Sequence, residues 1–448
     1  MSPAVSRTAR RIGLALLLLL LLALAGLGYW LGTREPADPP ARAAAAAPGT
    51  AHGPDESGQI TRGRYLAALG NCMGCHTAAR DPGQPSGRGA LYAGGDALVT
   101  PYGRFHAPNL TPDREHGLGN WTQDDFWRAL RHGKRPDGSL LYPAFPYTSY
   151  RHLTRADADA LFAYLQSLPA VPRPNIDHEL SFPYSLRPLL AYWRALYFRA
   201  DAPLPSAGDT EASPQWLRGR YLTEGLAHCA ECHTARNPLG ALRGDAPLGG
   251  AMMPGQGWYA PPLTGEPGTG LGNWAEQDIA ELLRTGLSQH GFAAGPMAES
   301  VRNGFQHASE ADAKAIAHYL KRLPAGPPPA PSAVPDYGVM AQGRKLYEGL
   351  CLQCHQAKGE GLMPAWPALV GNPGVLAKAP DNLIRLVLDG GFAPATPAHP
   401  RPHGMPPFGP TLSDADIAAV ATYVRNSWGN SASPVTLPEV RRVRDRLR

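Results

Sequence analysis

Apolar residues are distributed along this chain in two ways. Near the N-terminus they form one unbroken run of 20, from Ile12 to Leu31, preceded by Arg7, Arg10 and Arg11. A helical run of that length spans the hydrocarbon core of a bilayer, and arginines on its leading side keep that side cytoplasmic. A cleaved export signal follows a related plan, with a shorter apolar core and a small-residue cleavage site. Here Gly28-Tyr29-Trp30-Leu31 offers no such site, and the alanine run 43–47 lies too far downstream, so an uncleaved anchor over residues 1–32 is the favoured reading. Either way the chain is exported.

Further along, apolar residues recur with helical period in three places. Leu161, Tyr164, Leu165 and Leu168 form one face, Ile316, Tyr319, Leu320 and Leu323 a second, and Ile417, Val420, Tyr423 and Val424 a third. Each spacing predicts one buried helical face. Thr154, Ser309 and Ser413 stand ahead of these faces as N-caps, each followed three residues later by Asp157, Asp312 or Asp416, a variant of the capping box. A second phrase recurs far upstream of each: Arg62-Gly63-Arg64-Tyr65-Leu66, Arg218-Gly219-Arg220-Tyr221-Leu222 and Gln342-Gly343-Arg344-Lys345-Leu346. Self-similarity of this kind marks tandem modules. The first two also share Leu118-Gly119-Asn120-Trp121 and Leu271-Gly272-Asn273-Trp274, each ahead of a short amphipathic helix, with the tryptophans read as core packing. The expected order is a flexible Pro/Ala/Gly linker over 33–58 that lifts the rest off the membrane, modules over 59–200, 201–324 and 336–430, and a basic tail over 431–448. Pro-rich links occupy 200–214 and 324–335.

Composition agrees with short helices and long loops: 50 Gly and 48 Pro among 448 residues, with 18% charged. The formal charge of +5 does not argue for nucleic acid, because no Lys/Arg stripe with interleaved aromatics exists. The basic tail, Arg441, Arg442, Arg444, Arg446 and Arg448, reads as a solvated or disordered end, with docking on a partner or on anionic headgroups as the alternative. The stretch Pro188–Phe198, rich in Leu, Tyr and Trp, reads as an inter-domain packing helix, with a partner- or quinone-facing surface as the alternative.

The cysteines supply the chemistry. All six fall in three Cys-x-x-Cys-His motifs: Cys72/Cys75/His76, Cys229/Cys232/His233 and Cys351/Cys354/His355. This is the spacing of c-type haem attachment. The thiols form thioethers to the haem, and the adjacent histidine becomes the proximal iron ligand. Disulfides or a thioredoxin-like pair would not repeat with a histidine three times, and zinc sites need paired Cys-x-x-Cys units or a matching His pair. Three covalent haem c groups follow, and each gives its small module the core it would otherwise lack. Six propionates would also offset much of the positive charge.

A methionine opposite the histidine raises the potential of such a haem. Met405 in the third module and Met297 in the second hold that place. Met363 is a fallback in the third, and Met252 and Met253 are expected to line the second pocket. The first module has phenylalanine, Phe145, in the slot. Its distal ligand stays open between a histidine (His106, His116, His132 or His152) and a five-coordinate iron.

These modules resemble class I cytochrome c, in which a glycine lets the first helix cross the last against an aromatic residue; Gly343 with Tyr423 is the matching pair. The longer phrases Pro108–Asp113, Gly117–Thr122, Tyr142–Tyr150, Phe182-Pro183 through Leu186-Arg187, and Trp193 resemble the tri-haem cytochrome c subunits of bacterial membrane-bound dehydrogenases over about residues 60–430. That family includes subunits of alcohol, gluconate, sorbitol, 2-ketogluconate, aldehyde and nicotinate-type enzymes. The resemblance implies a mainly α fold of three tandem cytochrome c domains. It implies a role as an electron-transfer subunit with no catalytic residues of its own, at the inner membrane with its haems in the periplasm. The partner would be a flavin, quinone or molybdenum dehydrogenase, and the acceptor ubiquinone or a terminal oxidase. Phe145 departs from the alcohol enzymes, which carry Met there. The alternatives are a haem enzyme or ligand sensor at an open first haem, and a donor subunit of a terminal oxidase. No Rossmann, P-loop or Ser/His/Asp signature accompanies them.

Overall fold

The computed structural model describes residues 3–35, 56–79, 89–201, 213–253, 255–326 and 332–447. Most of the expected linker 33–58, and the centres of the links 200–214 and 324–335, lie outside the described residues. The fold is mainly helical, with four small antiparallel sheets of two or three strands among the described residues.

A single long helix, α1 (Pro3–Thr33), begins the chain. Its segment Ile12–Thr33 is long and apolar enough to cross a membrane, a property shared by anchors and export signals. The first module contains α2 (Glu56–Leu69), α3 (Gln123–His132), α4 (Arg155–Gln166) and α5 (Leu189–Tyr197). The second contains α6 (Pro214–Arg220), α7 (Glu276–Thr285), α8 (Gly295–Asn303) and α9 (Glu310–Leu320). The third contains α10 (Tyr337–Leu350), α11 (Asp381–Asp389), α12 (Asp414–Arg425) and α13 (Leu437–Leu447).

In every module the first helix crosses the capped helix, α4, α9 or α12, at a glycine. A Cβ on Gly63 would lie 1.9 Å from the Ala160 carbonyl oxygen and 2.7 Å from Tyr164 Cβ; Gly219 meets Ala315 and Tyr319 in the same way, and Gly343 meets Ala419 and Tyr423. The tyrosine is the aromatic partner each time, so the pairing read for Gly343 holds in all three. The glycine-to-cysteine spacing nonetheless differs: eight residues in the third module, nine in the first, ten in the second. In the third, α10 runs straight into Cys351. In the first, Asn71 in the left-handed region takes up the extra residue. In the second, His228 adopts the same conformation and a π-helical turn over Tyr221–Leu226 takes up another, as inserted residues do in helices.

The capping residues behave in two ways. Ser413 and Asp416 form the full reciprocal capping box. Thr154 and Ser309 accept hydrogen bonds from the backbone N–H groups of Asp157 and Asp312, but those two carboxylates turn away to the arginines of the upstream phrase. Arg62 Nε donates to Asp157 at 2.6 Å, and Arg218 Nε and Nη2 donate to Asp312 at 2.8 and 2.7 Å. The third module has Gln342 at this position, and its amide makes one weaker bond of 3.2 Å to Asp416.

Two expectations are corrected. The basic run is not a solvated tail: α13 buries Val440 and Val443 against α11 and α12. Its arginines are paired, Arg442 and Arg446 with Asp381, and Arg441 and Arg444 with Asp414. The amphipathic spacing of the valines was the missed signal. Nor is the first module lifted off the end of α1. The last turns of α1 pack on α5, and Arg194 Nε donates to the Gly32 carbonyl at 2.8 Å. Glu35 pairs with Arg128 and Lys134 at 2.9 Å each. Burial works against the charge of Glu35, but these two cations outweigh it and hold the carboxyl at about 2.

Candidate haem clefts

The three Cys-x-x-Cys-His motifs line one continuous cavity of about 2150 Å³, at least twice the roughly 300–1,000 Å³ of an ordinary small-molecule pocket. Each motif begins a short helical turn directly after the first helix of its module, which aims the histidine inward. His76 Nδ1 lies 2.7 Å from the Pro108 carbonyl oxygen, His233 Nδ1 2.7 Å from that of Pro261, and His355 Nδ1 3.0 Å from that of Pro367. A carbonyl only accepts, so Nδ1 carries the proton and Nε2 keeps its lone pair. That arrangement fixes the tautomer and orientation of an iron-ligating imidazole. The donor set therefore fits a haem in each module: two thiols, one oriented imidazole and an apolar cavity.

Met297 on α8 and Met405 on the strand Gly404–Met405 line the same cavity as these histidines and pack against core residues. Met253 lines it as well. Met252 and the fallback Met363 do not. Trp121 and Trp274 line it, and Trp274 stacks on His290 with centroids 4.7 Å apart. In the first module Phe145 lines the cavity and packs against Tyr150. Of the four histidines considered there, His132 and His152 are outside the lining, while His106 and His116 lie within it. His106 stands two residues before Pro108, whose carbonyl holds the proximal His76, and its Nε2 meets Glu179 at 3.0 Å. The chain thus places His106 beside the segment that holds His76.

The sequence pattern gave no sign of several cavity residues. His178 sits between the rings of Phe105 and Tyr142, and burial together with Arg187 and Arg135 pushes it down to about 4. Arg135 and Arg187 line the same region. They repel one another, and burial with that repulsion lowers Arg135. Two half-buried cations there suit the carboxylates of a haem edge. Arg187 closes one of the phrases quoted above, but its place beside Arg135 is set by a loop far along the chain.

The first two modules share a single hydrophobic core, whereas the third has its own. Their junction is reciprocal. Tyr65 of the first donates to Asp312 of the second at 2.7 Å, and Tyr221 of the second donates to Asp157 of the first at 2.5 Å. Burial and the neighbouring carboxylate raise both phenols above their ordinary value. Thr148 donates to Glu231 at 3.0 Å beside the second motif, and Tyr150 stacks on His228. Cys75 and Cys232 lie within electrostatic range of each other, so the two attachment sites adjoin. The third module docks on the second through Asn382, which exchanges two hydrogen bonds with the Tyr259 backbone at 2.8 and 2.7 Å, and through Arg385 over the Trp258 ring.

Comparison with known proteins accords with this geometry. The cytochrome c family profile matches residues 60–169 and 218–324, and that of the cbb3-type cytochrome c oxidase subunit III matches 338–424. The chain is 37% identical over 426 residues to the fructose dehydrogenase cytochrome subunit of Gluconobacter japonicus, covering 89% of this chain and 84% of that one. The chain belongs to the cytochrome c subunits of membrane-bound dehydrogenases. A second relative is the cytochrome c subunit of the quinone alcohol dehydrogenase of Gluconobacter oxydans, 36% identical over 414 residues, 88% of this chain and 84% of that one. A third is the gluconate 2-dehydrogenase cytochrome c subunit of Pantoea cypripedii, 37% identical over 403 residues, 86% of this chain and 89% of that one. As a cytochrome c, the protein carries covalently bound haem c.

Proposed function

We propose that this chain holds three haems, at Cys72/Cys75, Cys229/Cys232 and Cys351/Cys354. It conducts electrons from a dehydrogenase catalytic partner of flavin, quinone or molybdenum type to ubiquinone or a terminal oxidase. The observation that carries the reading is the threefold recurrence of a histidine held through Nδ1 by a proline carbonyl beside a Cys-x-x-Cys pair. When bound, haem supplies a reversible one-electron iron couple whose potential follows its axial ligands and burial. The protein's contribution is to hold and tune the groups. His76, His233 and His355 are the proximal ligands, and Met297 and Met405 the distal ones. Arg135 and Arg187 neutralise carboxylates at the first cleft. The shared core of modules one and two keeps their clefts adjacent and dry.

The relatives' names place those proteins in dehydrogenase complexes, and a catalytic partner is the corresponding expectation here. Retention of α1 as an anchor is supported by its docking: removal of residues 1–33 would take the Gly32 carbonyl from Arg194 and the Thr33 carbonyl from Lys134 and uncover α5. The soluble modules then stand on the periplasmic side of the inner membrane.

The test is intact mass of the denatured protein, combined with a potentiometric titration. Three haem masses above the polypeptide and three one-electron waves are expected. Two haems, or none, would overturn the assignment. Purification from membranes should bring a dehydrogenase with it, and quinone reduction should require that dehydrogenase's substrate.

A second reading concerns the first module alone. Phe145 offers no ligand atom at the slot filled by methionine elsewhere, which supports a five-coordinate iron able to bind small ligands. CO added to the reduced protein should titrate one haem in three; no binding would remove this reading.

A further inference from the structure

The membrane-facing side of this protein is larger than its anchor. The apolar span Ile12–Thr33 contains 22 residues, about 33 Å at 1.5 Å per residue, which matches a hydrocarbon core of about 30 Å. Its last turns therefore lie at the bilayer boundary, and there α5 packs on them. A Cβ on Gly28 would lie 3.1 Å from the Tyr192 ring, and one on Gly32 only 1.6 Å from the Ala191 carbonyl oxygen, so the backbones touch. Buried Arg194 ties the two together, through Gly32 and, at 2.6 Å, the His132 carbonyl.

This contact fixes the depth of α5. Leu190, Ala191 and Arg194 face inward and are buried. The opposite side carries Leu189 and Leu196 at helical spacing, with Tyr197 at the helix end and Phe182 and Leu186 ahead of the helix, and all are exposed: Phe182 by 80% and Leu196 by 70%. Leu239, beside the Trp193 indole that donates to its carbonyl, continues the patch. A contiguous apolar patch of this kind marks an interaction surface. At this depth the surface in reach is lipid, because the patch is continuous with the apolar face of α1. Trp30, Tyr29 and Tyr197 supply the amphipathic rings favoured at a membrane boundary, and exposed Arg34 and Arg199 stand at headgroup level.

We propose that the outer face of α5, with Phe182, is immersed in the periplasmic boundary of the bilayer, so that the first module sits on lipid as well as being tethered to it. Such a seat holds the first cleft at a fixed orientation over the membrane. The proposal rests on α1 being retained.

The test uses the full holoprotein in nanodiscs of phosphatidylethanolamine and phosphatidylglycerol. With all six native cysteines in haem thioethers, Leu196→Cys gives a single thiol for a nitroxide, and Val334→Cys, 92% exposed and just ahead of α10, gives the control. Intact mass is read first. The Leu196 label should be several-fold more accessible to oxygen, relative to a water-soluble nickel chelate, than the Val334 label. If the mass shows α1 removed, the anchor and the lipid seat both fail. With α1 present, equal ratios at the two sites overturn the seat alone. Shielding of the Leu196 label from both reagents also overturns it, since that would indicate a protein partner or a second copy covering the face.

Discussion

At the scale of single residues, two side chains control what the first module can do. In the proposed ligation, Phe145 takes the slot that Met297 and Met405 fill in the other modules. Phe145→Met should convert a CO-binding haem into a six-coordinate one. CO uptake by the reduced protein would be lost, and the high-spin signal in the oxidised electron paramagnetic resonance spectrum should disappear. A variant that still binds CO would show that Phe145 does not face the iron. The other residue is His152, at the junction with the second module, where Gly225 approaches it. Burial, with Arg151, Arg131 and Arg220 around it, pushes this imidazole down to about 3. The unfolded chain binds its proton near pH 6.5 and the folded chain does not, so stability rises with pH across that interval. The contribution is complete above about pH 6.5 and is lost as pH falls toward about 3. His152→Gln should flatten this part of the stability profile, measured by thermal melting between pH 4 and 7, and leave the plateau above it in place.

At the scale of elements, the fold repeats one joint three times: a first helix crossing the capped helix α4, α9 or α12 at a glycine against a tyrosine. Gly343→Ala puts a methyl 2.2 Å from the Ala419 carbonyl and 2.6 Å from Tyr423 Cβ. Overpacking of this sort costs on the order of 1–3 kcal/mol. Because the third module has its own core, calorimetry should show its transition move to lower temperature while that of modules one and two stays fixed. A common shift would mean that the three modules unfold together. The variable spacing between glycine and cysteine shows what is held constant. The π turn and the left-handed residues shift the backbone so that both the helix crossing and the thiols keep their places.

At the scale of the molecule, modules one and two form one body, closed by the exchanged Tyr65–Asp312 and Tyr221–Asp157 contacts, and module three docks on it through a smaller set of bonds. Hydrogen bonds to ionised groups contribute about 1.5–3 kcal/mol each. The double variant Tyr65→Phe/Tyr221→Phe should lower the melting transition of the paired body and weaken redox interaction between its two haems, seen as a changed separation of their waves in potentiometry. An unchanged transition would assign the junction to apolar packing alone. Lys345 stands where the tyrosines do, so the third module cannot join in the same way.

Much of this was legible in the chain before any coordinates. Period-3.6 apolar faces, caps, a glycine–aromatic pair and three Cys-x-x-Cys-His motifs are local patterns, and local patterns survive in a linear reading. The carboxylates were legible only in part: Asp157 and Asp312 looked like capping residues, and their role at a module junction depends on an arginine and a tyrosine 64 to 247 residues away. The tail was misread because its charges are conspicuous and its two buried valines are not. Ion pairs to Asp381 and Asp414 fasten the helix to the module while Arg441, Arg442 and Arg446 stay exposed.

The amino-acid order by itself determined the chemistry and the number of modules, since haem attachment needs only five consecutive residues and a helix only its own periodicity. Tertiary structure alone decided which modules share a core, which carbonyl orients each histidine, and where the first module meets α1. Those contacts join segments far apart in the chain, and their free energy comes from shape and burial that no local spacing encodes.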